Sequence, residues 1–394
     1  MSVTIVIPTR NRGFILDHAV RSASRQTFRE LDILISDNHS TDDTPEIARR
    51  WMAEDHRIRY VRTSEPLSMP ASWEFALSNA DADWILLLED DGVLLADAVE
   101  RAHATASAQR VYLVTFPFLN YYSDEPKLGY CRNSVVLDEF DSRTTEKSSG
   151  DVAQEIYGLR FGSHAPKMYN CLFARRLLER AREGGTGLCV APAPDYGGGA
   201  VLLGLTSSYC HLDRPLMISN CGTTSPGASM EAYHRFQAEL GAENKTVASY
   251  LPLPFVSVCN IVPETLGRAR AAFPSLERFT VPIEAYLLYF GRQLDMFERA
   301  GWKLPIEHDM LARAVRALPR YMRRRIRLRR ARERAVGAVD RTLRPQVWRN
   351  GLLRKTYEVA SHRQVMRGEQ AGFRDITGAA RAVERAYRIR AEDL

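Results

Sequence analysis

The amino-acid sequence predicts an α/β fold, a mostly parallel sheet covered by helices on both faces, followed by a helical and basic C-terminal region. Three observations carry this expectation. An apolar, β-rich run at Val3 to Pro8 opens a β-α-β pattern, strand-like and helix-like segments then alternate as far as Ala106, and helical patterns dominate from about Pro263 onward.

After the first strand, Ile15, Leu16, Ala19, Val20 and Ala23 recur at helical spacing, and Ile33 to Ile35 form a second short strand. Thr44-Pro45-Glu46 then offers an N-cap, a proline at the first helical position and an acid in the first turn, so a helix runs to about Met52. Ile58 to Val61 and Trp84 to Leu88 are further strands around a helical stretch from Trp73 to Ala80, and Ala96 to Ala106 is another helix. Alternation of this kind calls for a mostly parallel sheet buried on both faces. Between about Phe118 and His164 the sequence turns polar and irregular, which suggests an insertion or active-site flap. Met168 to Phe173, the helix Arg175 to Arg182 and the strand Ser208 to Ile218 restore regularity. The expected units are residues 1–225, with 118–164 as the flap, a helical extension over 226–300 packing on them, and an Arg-rich helical region over 301–394.

Composition narrows the class. With 394 residues, 45% hydrophobic and 26% charged, the chain reads as a globular protein of two or three compact units, not a disordered or collagenous one. The start lacks a basic, apolar leader, and no window approaches the ~18 uninterrupted apolar residues of a spanning helix. Six cysteines lie far apart without Cys-x-x-Cys spacing, so reduced thiols in a cytosol are the simplest reading. The net charge of +6 conceals an asymmetry: residues 301–394 carry 24 Lys and Arg against 10 Asp and Glu, and residues 1–300 carry 30 against 38.

Three polar clusters follow three predicted strands: Pro8-Thr9-Arg10-Asn11, Asp37-Asn38 and Glu89-Asp90-Asp91. In open α/β sheets ligands bind at that edge. Neither common glycine-rich phosphate loop is present. Adjacent carboxylates at a strand end repel, and a divalent cation, Mg²⁺ or Mn²⁺ bridging phosphates, relieves that most directly. The blander alternatives are a solvated acidic turn at Glu89-Asp90-Asp91, turn-forming roles for Asp37 and Asn38, and surface charge for Arg10 and Arg12.

Thr4-Ile5-Val6-Ile7-Pro8-Thr9-Arg10-Asn11-Arg12, Gln26-Thr27-Phe28, Ile35 to Thr44 with Ser36-Asp37-Asn38, and Leu87-Leu88-Glu89-Asp90-Asp91 occur in that order. Together they resemble the signatures of family 2 glycosyltransferases, which have the Rossmann-like GT-A fold. The resemblance is specific over residues 3 to about 100, looser to about 225, and does not cover the C-terminal region. It implies that Pro8, Thr9, Asn11 and Asp37 hold the nucleoside, with Asn38 where the family commonly has a second acid. It further implies that Glu89, Asp90 and Asp91 replace the family's D-x-D motif, with Asp91 as the direct metal ligand helped by Glu89. Asp195, in Ala191-Pro192-Ala193-Pro194-Asp195-Tyr196 before Gly197-Gly198-Gly199, resembles the segment that presents the catalytic base; a helix N-cap is its alternative role.

The resemblance therefore implies an inverting, Mn²⁺- or Mg²⁺-dependent glycosyltransferase using a UDP-, GDP- or dTDP-sugar donor. Its acceptor would be a glycan or lipid-linked glycan in surface polysaccharide or glycoconjugate synthesis. A sugar-phosphate nucleotidyltransferase and a non-catalytic scaffold with an RNA- or membrane-binding tail are the alternatives. His164 and His211 receive no role, and Trp73 could stack on a sugar or base or belong to a helix core. From Arg320 to Arg334 nine arginines occur with a single acid, Glu333, among scattered apolar residues. An anionic membrane surface on the inner face of the plasma membrane suits residues 320–334 better than specific nucleic-acid readout, with a solvated or oligomer-facing helix as the alternative.

Overall fold

The computed structural model describes residues 1–123, 132–138, 140–185, 187–221, 251, 258–299, 303–349 and 363–392. Its main sheet is built from β1 (Val3–Thr9), β2 (Leu31–Asp37), β3 (Ile58–Arg62), β4 (Trp84–Leu87), β6 (Leu113–Thr115), β9 (Thr144–Ser148), β10 (Cys171–Ala174) and β11 (Ser208–Leu212). These eight strands lie in the order β3-β2-β1-β4-β10-β6-β11-β9. The first four are mutually parallel, as the alternation of patterns predicted. Beyond them β10 runs antiparallel to both β4 and β6, β11 parallel to β6 and β9 antiparallel to β11, so four of the seven pairings are parallel and the far part of the sheet is mixed.

Helices α1 (Gly13–Ser24), α2 (Thr44–Glu54) and α3 (Met69–Ser78) pack on the parallel strands β1 to β3, and α4 (Ala98–Gln109) packs on β6, β10 and β11. All seven residues of β1 are buried, which is why its sequence is apolar with no solvent-facing alternation. The N-cap of α2 is Asp43, one residue before the expected Thr44, with Pro45 in the first turn. Gly13 starts α1 because a Cβ there would run into the Asp43 carboxylate.

The described residues of 118–164 are more regular than the composition suggests, 124–131 and 139 lying outside them. They contain β7 (Phe118–Tyr122), β8 (Ser134–Asp138), β9 and α5 (Ser149–Tyr157). β9 reads TTEKS and is largely exposed at the sheet's edge, so it shows no apolar signal. Helices α6 (Arg175–Glu183) and α7 (Pro194–Leu205) come next in the chain. The single strand expected at 208–218 is two, β11 and β12 (Met217–Asn220), in different sheets, with Asp213-Arg214-Pro215 between them. Proline cannot donate to a ladder and ends the pairing there.

Two further strands, β5 (Val93–Leu94) and β13 (Arg363–Arg367), complete a second sheet of order β13-β8-β7-β12-β5. The C-terminal segment thus departs from the expectation of one helical basic region. β13 pairs antiparallel with β8, and a short α12 (Gly368–Ala371) leads to α13 (Ile376–Glu392). Phe373, Ile376, Ala379 and Val383 close a second core with Leu119, Tyr121, Val135, Leu137 and Ile218. Polar ties reinforce the return: Ala96 N donates to Glu384 Oε1 at 2.8 Å, and His18 Nδ1 lies 2.8 Å from Thr377 Oγ1.

Of the expected 226–300 extension, residues 226–250, 252–257 and 300 lie outside the described residues. The described residues between Ile261 and Arg349 include helices α8 (Ile261–Ala272), α9 (Ile283–Arg299), α10 (Pro305–Ala317) and α11 (Arg320–Arg349). Leu287, Phe290 and Leu294 of α9 share the main core with Leu311 and Val315 of α10 and Ile326 of α11. Among the described residues no helix is long and apolar enough to cross a membrane.

Candidate active site

The strand order reverses at β1, whose neighbours β2 and β4 lead away in opposite directions, so the carboxyl ends of β1 and β4 flank a crevice. A cavity of about 250 Å³ lies there, lined by Pro8, Thr9, Arg10, Arg12, Asn38, Leu67, Met69, Ser72, Trp73, Glu89, Asp90, Asp91, Ser219 and Asn220. All three polar clusters of the sequence therefore contribute to one site.

Their members divide by what they touch. Asp90 is buried and engaged: Thr9 Oγ1 donates to it at 2.8 Å, and Arg12 Nη1 lies 3.0 Å from its other oxygen. Arg12 Nη2 also donates to Asp91 Oδ2 at 2.6 Å. Burial pushes the Asp90 carboxyl up and the Arg12 charge opposes this. Asp91 keeps its second oxygen clear of protein donors among the described residues. Ser219 Oγ donates to Glu89 Oε2 at 2.9 Å, while burial and the nearby Asp91 charge raise the Glu89 carboxyl well above the usual range.

Asp37, Asn38 and Asn11 act around the cavity in different ways. Asp37 is fully buried and is not a lining residue; Tyr60 OH donates to it at 2.6 Å and Ser40 N at 2.8 Å. Asn38 lines the cavity and clasps the backbone of Leu67, donating from Nδ2 to Leu67 O at 2.8 Å and accepting from Leu67 N at 2.7 Å. Only an amide can do both, which accounts physically for Asn at this position. Asn11 also lies outside the lining. With φ of 53°, a conformation Asn tolerates, it accepts from Thr41 N at 2.7 Å and so ties the first loop to the second.

Asp195 does not line this cavity, but its charge is among the causes raising Glu89, which places it near the acidic cluster. It occupies the first turn of α7, and the N-cap is Ala193, without a side-chain cap bond. The N-cap alternative for Asp195 therefore falls. Burial raises its carboxyl, and Lys167 together with the N–H groups of Asp195 and Tyr196 pulls the other way. Gly197 to Gly199 make the approach of these segments feasible: a Cβ on Gly199 would collide with the Pro166 carbonyl, and one on Gly198 with Met168. The segment carrying Lys167 consequently lies against the start of α7.

Lys167 was not apparent from the sequence. Its Nζ donates to Tyr169 OH at 3.1 Å and sits 4.9 Å from the Tyr196 ring centre, 5.4 Å from that of Phe118 and 5.5 Å from that of Tyr169. Tyr169 is buried and Tyr289, on α9, is partly buried; burial raises both phenols, and the Asp195 charge adds to it. Trp73, Ser219 and Asn220 are further lining residues to which the sequence alone gave no definite role. Only the glycine triplet hinted at the close packing behind them. His164 and His211 lie apart from the cavity, the former 2.8 Å from Glu155 and the latter 3.0 Å from Thr115 Oγ1.

Fitness for a metal depends on the donors. No three or more His, Cys, Asp or Glu converge as a metal-holding group among the described residues. Glu89 and Asp91 can each offer a hard oxygen, the donor type suited to Mg²⁺ or Mn²⁺ when one or two carboxylates, diphosphate oxygens and water complete the shell. The residues fit an ion shared with a phosphorylated ligand.

Fold and site together define an α/β domain with an acidic cluster at the switch point of its sheet. Residues 4–166 match the model of glycosyl transferase family 2. Among relatives, a GalNAc(5)-diNAcBac-PP-undecaprenol beta-1,3-glucosyltransferase of Campylobacter jejuni is 31% identical over 184 residues, 46% of this chain and 54% of that protein. Glycosyltransferase GlyG of Streptococcus pneumoniae is 23% identical over 148 residues, 36% of this chain and 49% of that protein. The chain thus spans about half the length of these relatives. Among solved structures, S. aureus TarS 1-349 in complex with UDP-GlcNAc aligns with a TM-score of 0.46 at 13% identity, covering 75% of this chain and 81% of that one.

Proposed function

We propose that the chain is an inverting glycosyltransferase that moves a sugar from a nucleotide diphosphate sugar to a hydroxyl of a glycan or lipid-linked glycan. The observation that carries this reading is the single crevice in which Asp91 and Glu89 meet the ends of β1 and β4, with Asp195 on a neighbouring helix start. The name of the Campylobacter relative supports a lipid-linked acceptor. Such an acceptor suits peripheral attachment to the inner face of a plasma membrane.

In this mechanism the nucleoside lies between the Pro8–Thr9 end of β1 and Asn38, while Asp37 and Asn11 hold the two loops in place. The Asp195 carboxylate takes the acceptor hydroxyl's proton as that oxygen bonds to the anomeric carbon from the face opposite the diphosphate. The anomeric C–O bond breaks, its electrons leave with the nucleoside diphosphate, and the configuration inverts. A base with a raised pKa is better matched to neutral pH than an ordinary carboxylate. Lys167 sits beside Asp195 and favours its ionised form. Held by Asp91 and Glu89, a Mn²⁺ or Mg²⁺ ion would supply charge neutralisation at the leaving diphosphate.

The test is incubation with a panel of nucleotide sugars and Mn²⁺, reading nucleotide release, transfer and the anomeric configuration of the product. Release of pyrophosphate, or a product of retained configuration, overturns the mechanism. With Asp91→Ala, calorimetry should show loss of metal-dependent nucleoside diphosphate binding. Unchanged affinity would remove Asp91 from the metal site.

A further inference from the structure

The nine arginines between Arg320 and Arg334 do not form one solvated charge run, because the helix is packed on one side. Arg325 and Arg329 pair with Glu284 of α9 at 3.0 and 3.3 Å, and Arg330 and Arg334 pair with Asp295 at 3.3 and 2.6 Å. Glu333 reaches back to Arg292 at 3.2 Å, and Ile326 is buried in the core shared with α9 and α10. Arg323 donates to the Arg316 carbonyl at 3.0 Å. Five of the nine arginines are thus engaged within the bundle.

The other four, Arg320, Arg324, Arg327 and Arg332, are exposed and have no ion-pair partner among the described residues. At 3.6 residues per turn they fall within about 140° of the helix circumference. Tyr321 and Leu328, exposed to 70% and 61%, lie in the same arc, seven residues apart. Single exposed apolar side chains are ordinary on a solvated surface, but here two stand within one arc of cations. At a lipid headgroup layer the combination is favourable, since the rings and aliphatic chains enter the acyl boundary while guanidinium groups meet phosphates.

We propose that this outward stripe of α11 is a docking face for an anionic lipid bilayer. Arg320, Arg324, Arg327 and Arg332 supply the charge, and Tyr321 and Leu328 the apolar insertion. The occupant is set by charge complementarity together with the paired apolar side chains. The stripe offers stacking groups too sparse for a single-stranded nucleic acid, which uses successive aromatic platforms. The proposal deepens the lipid-linked acceptor reading but stands on different residues from the crevice.

The test uses the full chain and the variant R320Q/R324Q/R327Q/R332Q, sedimented with vesicles of phosphatidylcholine alone or with 30% phosphatidylglycerol, at low and at high salt. The wild type should bind only the anionic vesicles and release as salt rises. The variant should bind them roughly 10²–10³-fold more weakly, at about fivefold per charge, with an unchanged melting temperature. A second variant, Y321S/L328S, should also weaken anionic-vesicle binding while keeping the wild-type salt dependence. Equal binding of wild type and quadruple variant, equal binding to both vesicle types, or capture of RNA with no vesicle binding would each overturn the proposal. Because none of these residues touches the crevice, loss of docking with donor turnover intact leaves the catalytic reading standing, and the converse leaves docking standing.

Discussion

Asp195 is the residue on which base and structural roles separate most cleanly. It lies in the first turn of α7, after the N-cap Ala193, and its carboxylate meets the N–H groups of Asp195 and Tyr196. Asp195→Asn keeps the size and the acceptor oxygen while removing basicity. Transfer should fall by ~10²–10⁴-fold, the typical loss of a general base, while donor affinity and melting temperature stay near wild type. Near-normal transfer by the Asn variant would send the search for the base to other carboxylates; a parallel loss of stability would show that Asp195 is structural. Around it, Asp37 and Asn38 show how adjacent residues of one motif can do unlike jobs. Asp37 is sealed beneath the cavity by Tyr60 and the Ser40 amide, and Asn38 fastens the Leu67 loop that walls it.

Strand β11 illustrates how an element at the quiet side of the sheet sets a property of the whole. His211 on this strand is 5% exposed, and burial, aided by the charges of His164 and Lys147, pushes its pKa down to about 4. The unfolded chain titrates this group near ~6.5. Between these values the unfolded state binds the extra proton, so stability drops as pH falls from about 6.5 to about 4 and the effect is complete below that window. His211→Asn keeps a polar partner for Thr115 but cannot titrate. Chemical denaturation should show the wild type losing roughly 3 kcal/mol more than this variant between pH 7 and pH 4. Parallel pH dependences would mean that His211 is free to protonate in the folded state.

At the scale of the whole molecule, the C-terminal return ties the far end of the chain to the site. α13 packs against α1, β5 and β12, and β12 carries Ser219 and Asn220 of the cavity. Removing residues 363–392 strips Phe373, Ile376 and Val383 from the second core, at about 1.5–3 kcal/mol for each large apolar side chain. Calorimetry of the truncated chain should show a melting temperature lower by about 10 °C or more, or no cooperative transition. An unchanged transition would show that the second sheet stands without the return.

What the sequence by itself determined is the α/β class, the β1-α1-β2-α2-β3 order, the family resemblance and the clusters at the strand ends. These rest on local pattern: buried parallel strands must be apolar on both faces, and polar side chains are tolerated only where a strand surfaces. Tertiary structure alone decided the second sheet, the antiparallel β10 and the return of residues 363–392, because pairing between distant segments leaves no local period, and an edge strand such as TTEKS shows none at all. It also decided which members of each cluster face the cavity and brought Lys167 to Asp195, a meeting that depends on glycines letting two backbones touch. The nine arginines were plain in the sequence. Their division into a packed set and an outward set was not, since it is fixed by Glu284 and Asp295 on a helix some 40 residues earlier.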